Sequence, residues 1–105
     1  MKLVDFMEAW WLSVRPLLDA AGVVGRFERS ADNRPNPSCA LNFRRNNLEA
    51  DLLVWESGEA ELSIGESGGS VKQQHFEDIR TPPNLGSILS NVINWVSDIS
   101  NLKKP

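Results

Sequence analysis

Three successive runs between Cys39 and Ile64 alternate apolar and polar residues, and a repeat of two suits a strand with one packed face and one open face. Cys39, Leu41 and Phe43 alternate with Ala40, Asn42 and Arg44. Leu48, Ala50, Leu52 and Val54 alternate with Glu49, Asp51, Leu53 and Trp55, and Ala60, Leu62 and Ile64 continue the apolar set past Glu61 and Ser63. Arg45-Asn46-Asn47 and Ser57-Gly58-Glu59 are turn-forming breaks between the runs, so the strands join as consecutive hairpins. An antiparallel meander follows.

The flanks extend this sheet and close it. Val23 to Ser30 allows a strand, Ala31 to Pro37 reads as a loop because its two prolines defeat both ladder and helix, and Val71 to Asp78 supplies a last strand beyond the Gly65–Ser70 loop. Before the strands, Leu3, Phe6, Met7, Trp10, Val14, Leu17, Leu18 and Ala21 recur at helical spacing, with Gly22 as the stop. Trp10 falls on this stripe and Trp11 beside it. Pro16 removes a backbone donor inside the pattern, which predicts a kink or an early break near Val14 or Arg15. After the strands, Thr81 can cap and Pro82 can open a second helix with a stripe of Leu85, Ile88, Leu89, Val92, Trp95, Val96, Ile99 and Leu102. The expected fold is α+β: an antiparallel four- or five-stranded meander with N- and C-terminal helices packed on one face, leaving the other face open.

With 105 residues, 41% of them hydrophobic, the chain suits one domain, residues 1–105, with one core. A net charge of −3 argues against sequence-independent nucleic-acid binding, which needs a basic surface. The lone Cys39 suits a reducing compartment, and Asp5 and Glu8 interrupt the apolar run that a signal peptide would need, so a cytoplasmic location is expected. No apolar stretch approaches the roughly 20 residues that span a bilayer, so no membrane partner is expected.

Chemistry-bearing arrangements are scarce. One histidine, His75, and one cysteine, Cys39, supply neither a zinc set nor a nucleophile with an oriented base. The Gly65–Ser70 loop lacks the lysine of a phosphate loop and carries Glu66 where phosphate would be repelled. Glu49, Asp51, Glu56, Glu59 and Glu61 fall largely on an open face, without the enclosed site that acid–base catalysis needs. No cofactor, metal or catalytic residue is expected. Trp55 differs from the other tryptophans, because the register that buries Leu48, Ala50, Leu52 and Val54 sends Leu53 and Trp55 to the uncovered side beside Glu49 and Asp51. An aromatic with acidic neighbours suits a protein interface, with Glu49, Asp51, Leu53, Trp55, Glu56 and Glu61 as the partner-binding set and Trp55 as its anchor.

Asn36-Pro37-Ser38 leading into a strand, then Val54-Trp55-Glu56-Ser57-Gly58-Glu59-Ala60-Glu61-Leu62, then His75-Phe76-Glu77-Asp78-Ile79 before a closing helix, resembles the TriTu family of bacterial immunity proteins. This order spans about two-thirds of the chain. It departs from the family pattern near His75, where Gln73-Gln74-His75-Phe76 stands in place of an expected Trp-Glu-His-His. The resemblance implies a cytoplasmic antidote, without catalysis of its own, to an Rhs-type toxin that ADP-ribosylates elongation factor Tu; the expected assembly is a monomer in a one-to-one complex. A competing reading is a dimeric type III secretion-like chaperone, which requires a further helix between the strands. A small enzyme or ligand-binding domain would instead need a roomy polar pocket near His75.

Overall fold

The computed structural model describes residues 2–31, 33–66, 68–80 and 82–97. Among these residues seven elements follow in order: α1 (Leu3–Ala20), β1 (Val24–Arg29), β2 (Ser38–Arg45), β3 (Leu48–Trp55), β4 (Ala60–Glu66), β5 (Val71–Phe76) and α2 (Pro82–Ser97). The strands form one sheet in the order β1-β2-β3-β4-β5, every neighbouring pair antiparallel. The expected α+β meander is therefore the fold, with five strands, and no helix interrupts them among the described residues. The expected cap at Thr81 and the stripe positions Ile99 and Leu102 lie outside those residues.

Alternation decides which side of each strand is packed. Cys39, Leu41 and Phe43 on β2, Leu48, Ala50, Leu52 and Val54 on β3, and Ala60 and Leu62 on β4 are all buried. Above them lie Leu3, Val4, Met7, Trp11 and Leu18 of α1, and Leu85, Ile88, Leu89, Val92 and Val96 of α2, in one continuous core. Both helices thus shield the same face. Burying this apolar area is the main favourable contribution to folding.

The first helix departs from its predicted stripe in two ways. Phe6 is 39% and Leu17 72% exposed, whereas Val4 and Trp11 are buried, Trp11 to 6%. The cause lies in β1, where Gly25 leaves a gap that the indole of Trp11 fills; a Cβ at Gly25 would stand 2.6 Å from its Cζ3. Phe43 then packs between both tryptophans, edge-on to Trp10 at 6.4 Å and tilted to Trp11 at 6.0 Å. Nor does α1 break at Val14 or Arg15, for it runs through Pro16 to Ala20. Pro16 and Leu12 both face solvent, so the Leu12 carbonyl that Pro16 cannot serve lies on the wet side of the helix.

Its two ends are fixed by polar contacts. At the C-terminus Gly22 adopts φ 79°, and the amides of Gly22 and Val23 donate to the carbonyls of Asp19 (3.1 Å) and Leu18 (2.9 Å), a Schellman closure whose flanking Val23 and Leu18 are both buried. At the N-terminus the amides of Leu3 and Val4 donate to the two oxygens of Glu56, at 2.7 and 3.1 Å, from the turn after β3. Arg29 of β1 completes the attachment, meeting Glu8 at 2.7 Å and Asp5 at 3.0 Å.

Candidate functional site

The face turned away from the helices is a set of cross-strand rows. One runs Glu28–Ala40–Leu53–Glu61–His75 through β1 to β5, and the row beside it runs Arg26–Asn42–Asp51–Ser63–Gln73. A third carries Val24, Arg44, Glu49, Gly65 and Val71. Trp55 lies opposite Ser38 at the end of β3, and its amide donates to the Glu59 carbonyl at 2.9 Å. Glu49, Asp51 and Glu61 are exposed, while Leu53 and Trp55 are half-buried. Charged groups thus surround an apolar middle.

Hydrogen bonds arrange the carboxylates. Asn42 donates from its amide nitrogen to Glu49 at 2.8 Å and to Asp51 at 2.6 Å, which draws the two acids to one side chain. Arg44 stands 3.9 Å from Glu49, and Arg26 pairs with Glu28 at 3.3 Å. At the β5 edge His75 lies between Glu61, 3.7 Å from its Nδ1, and Glu59, 4.0 Å from its Nε2.

Five of the six residues picked from the sequence, Glu49, Asp51, Leu53, Trp55 and Glu61, share this face. Glu56 does not join them. Its carboxylate is turned to the first amides of α1, so its position is explained by the helix it holds. Sequence reasoning missed Asn42, Arg44 and His75 as members of the face, although alternation on β2 already placed Asn42 and Arg44 opposite the apolar set. What the sequence lacks is the partner of each position across the strands, and that pairing makes Asn42 the clamp of Glu49 and Asp51.

Cys39 and His75 do not come together as a nucleophile and base. Cys39 points into the core and His75 to the open side, so the sheet separates them. Burial pushes the Cys39 thiol up to about 12; the Arg29 guanidinium opposes that shift, and the Glu56 and Glu8 carboxylates add to it. Among the described residues no cluster of His, Cys, Asp or Glu could hold a metal ion, and no helix is long and apolar enough to cross a membrane.

A family model described as Immunity protein TriTu matches residues 5–95. No curated protein and no solved structure matches the chain. The family match takes in nearly all of α1 and α2 and the whole sheet, so the chain belongs to the TriTu family of immunity proteins, and its partner is a protein toxin.

Proposed function

We propose that this TriTu immunity protein neutralises an Rhs-type ADP-ribosyltransferase toxin by laying the open face of its sheet across the toxin's NAD or substrate site. The reading is carried by one observation, the acidic and apolar mixture around Leu53 and Trp55 on a face that no helix covers. An enzyme that holds NAD surrounds the diphosphate with cationic or donor-rich groups, and an acidic surface with an aromatic anchor is complementary to such a site. Glu49, Asp51 and Glu61 steer and pair, and Trp55 anchors. Opposite charge also speeds capture, at a rate that falls as salt rises.

On this reading the protein acts without catalysis or cofactor, in the cytoplasm, as a monomer in a one-to-one complex. It binds neither nucleic acid nor membrane. The test is titration of the purified protein into the toxin domain encoded beside its gene, with NAD present, reading ADP-ribose transfer to elongation factor Tu. Transfer should stop near one equivalent, and Trp55→Ala should require a large excess while folding normally. Full transfer in saturating wild-type protein would sink the proposal.

A further inference from the structure

We infer that the open face receives an arginine side chain of the toxin in the depression over Ala40 and Leu53. The inference rests on the toxin-binding role proposed for that face and names the chemistry of the contact. In the row Glu28–Ala40–Leu53–Glu61–His75, Ala40 alone is a methyl group among long side chains. Its shortness opens a shallow hollow of about 500 Å³ at the middle of the sheet, with Ala40 and Leu53 in its lining and Asn42, Asp51, Glu61 and Ser63 around them.

The lining sorts by chemistry. Ala40 and Leu53 offer an apolar bed for an aliphatic stem, and the carboxylates offer ends for a cationic head. Those carboxylates differ in what already satisfies them: Glu28 has Arg26 at 3.3 Å, and Glu49 has Arg44 at 3.9 Å. Asp51 meets the neutral amide of Asn42, and Glu61 stands 3.7 Å from His75, which carries charge only when protonated. Asp51 and Glu61 are therefore the two acids of the hollow that a guanidinium would pair.

Position favours arginine over lysine. Asp51 is opposite Ser63 and Leu53 is opposite Glu61, so Asp51 and Glu61 are diagonal neighbours across β3 and β4, about 7–8 Å apart at the backbone. A planar guanidinium presents donors on two sides and reaches both carboxylates from a stem lying on Leu53, whereas an ammonium is a compact point charge. Asn42 contributes by holding Asp51, so less ordering remains for the complex to supply. Wild-type affinity thus depends on one long cation entering a hollow made by one short side chain.

The test uses the full chain and the toxin domain encoded beside its gene, made inactive by mutation, with binding measured at two salt concentrations. Ala40→Leu fills the hollow from an exposed strand position, and Asp51→Asn with Glu61→Gln removes charge at constant shape; melting curves check that each variant folds. Each should weaken binding about tenfold to hundredfold, and the double charge variant should also flatten the salt dependence. Changing each toxin arginine, and in a second set each lysine, to methionine should find one arginine whose loss is non-additive with Ala40→Leu. If both sets leave affinity unchanged while Trp55→Ala weakens it, the arginine inference fails and the face keeps its role. If Trp55→Ala also has no effect, the toxin-binding reading fails with it, and coupling to a lysine alone would overturn the choice of arginine.

Discussion

On the helix side of β3, Leu48, Ala50, Leu52 and Val54 are shut away from solvent, whereas on the other side of the same strand Glu49 and Asp51 are exposed and Leu53 and Trp55 are half-buried. Ala50, Leu52 and Val54 of the first set share one core with both helices; the second set lies on the face turned away from them. Stability and recognition are thus written in alternate positions of one segment, and a substitution can be aimed at either by moving a single residue along the chain.

Leu52 and Leu53 give the sharpest test of that division, because they are adjacent, identical in chemistry and opposite in face. Leu52→Ala leaves a cavity beneath the helices and should cost about 2–5 kcal/mol in denaturant unfolding. Leu53→Ala removes a half-buried side chain and should cost about 1 kcal/mol, with its larger effect on toxin binding. Equal losses of stability would mean that the two faces of β3 do not divide packing from recognition.

The division was legible in the sequence for the reason that makes it testable. A packed face forces alternation, so the runs from Cys39 to Ile64 announce both the strands and the side each residue takes. The rotation of α1 was not legible, because Phe6, Leu12 and Leu17 are apolar yet exposed and blur the stripe. What turns the helix is the gap at Gly25, which no helical pattern contains. The candidate site divides the same way: faces follow from period two, but Asn42 beside Asp51, and His75 beside Glu61, follow from strand pairing. Glu56 shows the limit most plainly, since an acid after an acidic strand gives no sign that it serves the start of a helix more than 50 residues earlier.

Glu56 stands at the border between the two faces. Its oxygens accept the Leu3 and Val4 amides, and its negative charge sits at the positive end of the α1 dipole. Glu56→Ala should cost about 1 kcal/mol of stability, with Glu56→Gln costing less because an acceptor remains. Binding to the toxin, measured on folded protein, should change little beside the effect of Asp51→Asn. A strong binding defect with unchanged melting would return Glu56 to the open face.

The smallest effect is expected at the rim, where Asp78 lies just past β5. The Arg80 side chain donates to Asp78 through Nε at 2.9 Å and Nη2 at 2.6 Å, and the Arg80 amide donates at 2.9 Å; these bonds hold the carboxyl down at about 2, below its ordinary 3.8. Because the folded value is the lower one, the pairing stabilises the folded chain fully above about pH 4, and that contribution disappears as pH falls toward about 2. The same segment is fastened to the β3–β4 turn through the Ile79 amide, which donates to the Gly58 carbonyl at 2.8 Å. Wild type and Asp78→Asn should therefore differ slightly in melting temperature at pH 6 and converge near pH 2, with toxin affinity alike at pH 7. Both side chains are exposed, so solvent screens the pair and the difference should shrink further in high salt. A gap in melting temperature that persists at pH 2 would mean the carboxylate charge is not what fastens this rim.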